Sequence, residues 1–60
     1  MKYKVGDLVS YAYDTPERQF LGIVTKAWED VFTNMYFVYF FDEKATYGYC
    51  EDALCPVSIK

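Results

Sequence analysis

The segment from Tyr36 to Phe41, YFVYFF, places five aromatic residues in six consecutive positions. Alternate side chains of a β-strand point to opposite faces of its sheet, so a surface strand of a small protein needs aromatic residues on one face only. This segment carries them on both faces. One set of rings is expected to build a core, and the other set needs a second explanation.

The size of the chain makes that second explanation necessary. Sixty residues form one small domain, residues 1–60, whose core is marginal. Seven Tyr, five Phe and one Trp supply most of the apolar surface that such a core can bury. Rings left in water deprive the fold of burial that it needs, unless another part of the chain or a second protein covers them.

Short runs of alternating or β-branched residues predict strands along the whole chain. Gly6-Asp7 predicts an early turn or bend within the first run, and the polar loop 14–19 and the turn-forming pair Thr33-Asn34 separate the first three runs. Gly22 indicates a bend or a close backbone approach, and Pro56 indicates an edge strand. The predicted strands are KYKVGDLVSYAY, FLGIVTKAW, MYFVYFFD, TYGYC and CPVSIK.

The segment before the last strand, EDAL, is too short for an α-helix and predicts a single 3-10 turn. One alternative stays open, because Trp28 and Phe32 are four residues apart and would share one face of a short helix. The fold expected from these elements is all-β: a bent, five-stranded barrel with one 3-10 turn before its last strand.

The charge pattern limits the partners. The net charge is −3, with nine acidic and six basic residues, and the basic residues are dispersed along the chain. Nucleic-acid binding needs clustered cations, so nucleic acid is disfavoured. No apolar run is long enough to span a membrane, and Met1 followed by Lys2 and Lys4 predicts a cytoplasmic protein without a membrane partner.

Four pieces of the sequence resemble SH3-like small barrels, most closely the Tudor type. They are VGDLVSYAY, FLGIV, FVYFFD and YCEDALCPV, and together they extend from Val5 to Val57. The chain is also loosely similar to small barrels of bacterial and phage accessory proteins. The resemblance and strand parity imply an interior of Val9, Tyr11, Val24, Val38, Phe40 and Leu54. Phe37, Tyr39 and Phe41 would then point outward.

The Tudor-type resemblance implies an aromatic cage at one end of the barrel, where rings bind a methylated lysine or arginine by cation–π attraction. The residues at the matching positions are Tyr13, Phe20, Phe41 and Tyr47, with Asp42 or Glu43 as the carboxylate. The family's Y-G-N after the strand aspartate is replaced here by DEKATYG. A looser resemblance to SH3 domains implies a groove for proline-rich peptides, formed by Tyr11, Tyr13, Trp28 and Tyr49.

The outward set of rings, Phe37, Tyr39 and Phe41, predicts a protein-binding stripe, with Trp28 and Ile23 on a neighbouring strand. The alternative is that residues 29–35 fold over these rings. We therefore expect a non-catalytic module that binds a protein or peptide. A structural homo-oligomer, or a small accessory subunit of a larger assembly such as a virion, is the alternative.

Catalysis, metals and cofactors have no support in the residue types present. The chain contains no His, and its only cysteines are Cys50 and Cys55. Structural zinc needs four ligands, and the spacing is not the C-x-x-C of redox sites. We expect reduced thiols that pack as small apolar groups, no cofactor and no enzymatic activity.

Overall fold

Five antiparallel strands form one sheet in the computed structural model, which describes residues 1–13 and 20–57. The strand order in the sheet is β4-β3-β2-β1-β5. The elements are β1 Leu8–Tyr11, β2 Gly22–Glu29, β3 Asn34–Phe40, β4 Ala45–Cys50, a 3-10 turn at Glu51–Ala53 and β5 Leu54–Pro56. The predictions of an all-β fold with five strands and one 3-10 turn before the last strand are confirmed.

The finer prediction of a barrel is not settled by this sheet. The pairing is open between β4 and β5, so closure into a barrel stays a prediction. Pro56 does lie in an edge strand, because β5 pairs with β1 alone within the described ranges. The predicted loop 14–19 and the end of the predicted last strand, residues 58–60, lie outside the described residues.

The connection between β2 and β3 is a tight hairpin rather than part of a helix. Trp28 belongs to β2, where it pairs with Met35, and Phe32 lies in the hairpin loop. The loop is closed by the Asp30 backbone N–H, which donates to the Thr33 carbonyl oxygen at 2.8 Å. The alternative of a short helix with Trp28 and Phe32 on one face is therefore wrong, because Trp28 is paired with β3 as part of a strand.

Two features of β2 depart from a regular strand, a bulge and a closely packed glycine. A bulge between Val24 and Lys26 inserts one extra residue, Thr25, opposite β3. Bulges increase the local twist of a strand. At Gly22 a Cβ atom would stand 2.5 Å from Cγ1 of Val38 and 3.1 Å from the Phe40 ring. The predicted close backbone approach at Gly22 is confirmed, and only glycine fits there without displacing the core.

The core lies on one face of this bent sheet and follows the expected strand parity. Val9, Val24, Val38, Phe40 and Leu54 are buried as predicted. Tyr11, expected inside, is only half-buried at the end of β1. Two rings complete the core: Tyr36, on the same face of β3 as Val38, and Tyr3, which precedes β1.

The two core tyrosines connect distant parts of the chain. Their rings meet edge to face, 5.4 Å apart. The Tyr3 hydroxyl donates to the Leu54 carbonyl oxygen, and the Tyr3 backbone N–H donates to the Tyr36 hydroxyl oxygen. The Tyr36 hydroxyl in turn donates to Glu51 Oε2 at 2.8 Å. Burial raises the pKa of Tyr36, so this hydroxyl keeps its proton for that bond.

Glu51 is the acceptor on which this network ends. Its Oε2 also accepts a hydrogen bond from the Asn34 side-chain amide at 2.8 Å. The bonds from Asn34 and Tyr36 hold the pKa of Glu51 below its ordinary value, because they favour the charged carboxylate. A carboxyl group with a lowered pKa stabilises the fold above its ordinary pKa, and that stabilisation is lost as the pH falls through the lowered value.

We expect Glu51→Gln to lower the free energy of unfolding at neutral pH, since the charged acceptor is lost. The deficit should shrink as the pH falls through the lowered pKa of Glu51, where the protonated wild-type carboxyl also loses its charge. Urea unfolding of the wild type and the variant at several acidic pH values measures this difference in the free energy of unfolding. A deficit that does not change with pH would contradict the role of the carboxylate.

Gly22→Ala is expected to destabilise the fold by about 1–3 kcal/mol, because the added methyl group overpacks the core against Val38 and Phe40. Gly48→Ala is the matched control, since its Cβ would stand 3.3 Å from the nearest atom of the Phe37 ring. Thermal or urea unfolding compares the two variants. If both variants lose the same amount of stability, the effect comes from replacing any strand glycine and not from the close contact at Gly22.

Candidate protein-binding surfaces

The first aromatic surface, here called the outer stripe, consists of Trp28, Phe37, Tyr39 and Phe41. It lies on the face of the sheet opposite the core. The Trp28 and Phe37 ring centroids are 4.8 Å apart, and those of Tyr39 and Phe41 are 5.8 Å apart. The bulge at Thr25 shifts the alternation of β2 by one residue and thereby brings Trp28 to the face that Phe37 occupies. The structure places these four residues as two contacting pairs, and the fifth residue predicted for the stripe, Ile23, lies opposite Tyr39 in the sheet.

The outer stripe is only partly covered by the chain itself. Phe37 is 39% exposed and Phe41 46% exposed, and Trp28 and Tyr39 are half-buried. The Phe37 ring lies beside Gly48 of β4, which has no side chain to compete with it. The Lys26 ammonium stands 5.7 Å from the centre of the Trp28 ring, a cation–π contact at the edge of the stripe.

Residues 29–35 do not form a cover over the stripe. Glu29 ends β2, Asn34 begins β3 and the residues between them form the hairpin loop. Val31 and Phe32 in that loop are 85% and 95% exposed. We call these two residues the hairpin tip. The sequence patterns did not identify it as a candidate surface, although two large apolar residues between the turn-forming Asp30 and Thr33 are unusual for a loop.

The second aromatic surface, here called the inner cluster, continues from the core at one end of the sheet. Its members are Tyr11, Tyr13, Phe20, Phe40, Tyr47 and Tyr49. Tyr11 meets Tyr13 and Tyr49 with centroid separations of 5.3 and 5.4 Å. Phe40 meets Tyr49 at 5.8 Å and Tyr47 at 6.3 Å. A pocket of about 170 Å³ opens in this cluster. The pocket is lined by Tyr11, Phe20, Phe40, Glu43 and Tyr49.

The structure divides the predicted aromatic cage between the two surfaces. Tyr13, Phe20 and Tyr47 belong to the inner cluster through their contacts and the shared pocket. Phe41 contacts Tyr39 in the outer stripe instead. Glu43, rather than Asp42, lines the pocket. The predicted peptide groove is divided in the same way, with Tyr11, Tyr13 and Tyr49 together and Trp28 on the opposite face.

Glu43 gives the inner cluster its charge. Its carboxylate accepts a hydrogen bond from the Tyr47 hydroxyl and raises the pKa of Tyr47, first through that bond and then through charge repulsion with the phenolate. Aromatic ring faces beside a carboxylate are a favourable environment for one apolar or cationic side chain of another protein.

The two cysteines form no metal site with the other residues that the structure describes. Cys50 and Cys55 are free thiols, both half-buried, and Cys55 Sγ lies 3.1 Å from Ser10 Oγ. No group of three or more metal-binding side chains occurs within residues 1–13 and 20–57. No helix in the described part of the chain has the length and apolar character needed to cross a membrane.

Comparisons with protein families, curated proteins and solved structures find no significant match to this chain. The Tudor-type and SH3-like identities therefore stay predictions from the sequence. The coarser result stands on the structure alone: five antiparallel strands in one sheet that is not closed, a 3-10 turn before the last strand, and two groups of contacting aromatic rings.

Glu43→Gln is expected to lower the pKa of Tyr47 toward its ordinary value, because the charged acceptor that favours the protonated phenol is removed. NMR of ring-labelled tyrosine during an alkaline titration measures the change. Asp42→Asn is the matched control, with the same loss of charge at the neighbouring position. The same shift in both variants would contradict a specific bond between Glu43 and Tyr47.

Proposed function

We propose that this chain is a non-catalytic protein-interaction module that binds a protein or peptide partner through the outer stripe. The observation that carries the proposal is the two pairs of contacting rings on the face opposite the core, Trp28 with Phe37 and Tyr39 with Phe41. Aromatic residues are enriched where protein interfaces concentrate their binding energy. The fold does not need these rings as its core, because another set of residues fills it.

The hairpin tip extends this surface. Trp28 and Met35 pair near the end of β2 and β3 that leads into the tip, so Val31 and Phe32 follow the stripe closely along the hairpin. A side chain as exposed as Phe32 contributes almost nothing to the core, and its burial by a partner would be favourable. We include the tip in the proposed binding surface for that reason.

The inner cluster supports a secondary site for one side chain of the partner. Its pocket of about 170 Å³ is smaller than the roughly 300–1,000 Å³ typical of small-molecule sites. A pocket of this size, with Glu43 at its rim, fits a single basic or apolar side chain better than a whole metabolite. The same size argues against catalysis in this pocket, because a small, open pocket excludes little water.

The alternative function is structural: a homo-oligomer, or a small accessory subunit of a larger assembly. The exposed Val31 and Phe32 of the hairpin tip favour it, because their burial against another copy or a larger assembly would be favourable. Either role is compatible with an SH3-like barrel. That finer fold assignment is supported by the five strands and by the 3-10 turn before β5.

Phe41→Ala and Tyr39→Ala are expected to cost about 1 kcal/mol or less in folding stability, because both side chains lie outside the core. The same changes should weaken partner binding by about 30-fold or more, the cost of removing a central interface ring. Photo-crosslinking from the hairpin tip in lysate of the source cells, with quantitative mass spectrometry, measures capture of the partner. Thermal unfolding measures stability.

Tyr13→Ala is the matched control, since it removes an exposed ring from the inner cluster. Capture should weaken less than with Phe41→Ala, because the inner cluster is proposed only as a secondary site. Loss of capture with Tyr13→Ala but not with Phe41→Ala would move the binding site to the inner cluster. Strong destabilisation of the dilute protein by Phe41→Ala would show instead that the stripe serves the fold.

A further inference from the structure

Lys26 is the one charged residue of β2, β3 and β4 that lies on the face of the outer stripe. It stands directly opposite Phe37, and directly opposed residues of an antiparallel pair share a face. Glu29, the other charged residue of these strands, follows Trp28 in β2 and so falls on the opposite face. The remaining positions of the stripe face on β3 and β4 are uncharged: Met35, Phe37, Tyr39, Thr46, Gly48 and Cys50.

The charge of Lys26 has no acidic partner in the described part of the chain. Its side chain is exposed, and its ammonium lies 5.7 Å from the centre of the Trp28 ring. Within residues 1–13 and 20–57 it forms no ion pair with a carboxylate. An exposed cation–π contact is weak and leaves most of the ammonium hydrated. The free protein therefore presents one hydrated cation beside the Trp28 and Phe37 rings.

A partner that packs on Trp28 and Phe37 also removes water from the Lys26 ammonium. Burying an unpaired charge is costly, and an opposite charge with good hydrogen-bond geometry is what offsets the cost. A carboxylate of the partner supplies this charge, because hydrogen bonds between an ammonium and a carboxylate are stronger than neutral ones. A neutral or basic segment at this place would leave the lysine unpaired and would bind more weakly.

The charge of the whole chain limits how acidic that partner segment can be. The net charge is −3, which repels a strongly acidic segment at long range. A phosphate group carries about two negative charges at neutral pH, more than one ammonium neutralises. A single carboxylate among apolar side chains therefore matches the outer stripe best.

The rings of β3 favour an extended segment. Phe37 and Tyr39 are alternate residues of β3, and Phe41 continues the strand, because its backbone N–H donates to the Leu21 carbonyl oxygen. At about 3.3 Å per residue these three rings extend over about 13 Å. An extended peptide of about five residues covers that length, and its own alternate side chains repeat at the same interval.

We propose that the outer stripe binds an extended, mainly apolar segment of another protein that carries one carboxylate, and that this carboxylate pairs with Lys26. Trp28 and Phe37 hold the apolar side chains beside it, and Lys26 selects the charge. The inference rests on the proposed function, because it states the chemistry of the partner at the same surface.

Selection from a library of short random peptides displayed on phage tests this chemistry. Peptides are selected on the immobilised wild-type protein, and those that also bind Phe41→Ala are removed. We expect the retained peptides to be enriched in Asp or Glu next to aromatic or aliphatic residues. In a synthetic copy of such a peptide, replacing the acid by its amide should weaken binding about tenfold, since one charge-assisted bond is lost.

Variants of Lys26 test the pairing itself. Lys26→Glu should weaken binding of the acidic peptide about tenfold or more, and a peptide with lysine in place of its acid should prefer this variant to the wild type. Lys26→Arg keeps the charge and should retain binding. Lys4→Glu is the matched control, because it makes the same change in net charge in the segment before β1. Fluorescence anisotropy measures the dissociation constants, and thermal unfolding checks that each variant is folded.

The outcomes separate this inference from the function on which it rests. Peptides that require Phe41 but show no preference for an acid, and bind wild type and Lys26→Glu equally, would overturn the inference and leave the proposed function standing. Equal weakening by Lys4→Glu would also overturn it, because net charge and not pairing would then set the affinity. If no peptide requires Phe41, the inference and the proposed function both fail.

Discussion

Three parts of the chain meet at the Tyr36 hydroxyl, and the rest of the fold depends on how they are held there. The Tyr36 hydroxyl accepts a hydrogen bond from the Tyr3 backbone N–H and donates one to the Glu51 carboxylate. The same carboxylate also accepts a hydrogen bond from the Asn34 side chain. The N-terminal segment, the start of β3 and the 3-10 turn are thereby joined by one buried ring and one carboxylate. In a domain with so few core residues, an unpaired hydroxyl at this place would cost a large share of the stability. Tyr36 is thus both a core ring and a hydrogen-bonding anchor.

The bulge in β2 decides which aromatic residues are left for function. Without the extra residue at Thr25, Trp28 would fall on the core face of β2 and could not meet Phe37. Gly22 works with the bulge, because its missing side chain lets β2 pass close over Val38 and Phe40. The two features of β2 that fit it to the core, the bulge and Gly22, thus include the one that places Trp28 beside Phe37 in the outer stripe.

Strand alternation predicted much of this arrangement from the sequence. It placed Val38 and Phe40 inside and Phe37 and Tyr39 outside, because strict period-two geometry holds throughout β3. Strand alternation did not predict that Tyr3 is buried, because Tyr3 packs into the core from a segment that precedes β1. Such packing depends on long-range hydrogen bonds that leave no periodic signal.

The predicted aromatic cage shows a second limit of what the sequence alone could predict. Phe41 was a candidate for both surfaces, and only the fold decides between them. Because the Phe41 ring packs against Tyr39, it belongs to the outer stripe, and the pocket of the inner cluster is lined by Tyr11, Phe20 and Tyr49 without it.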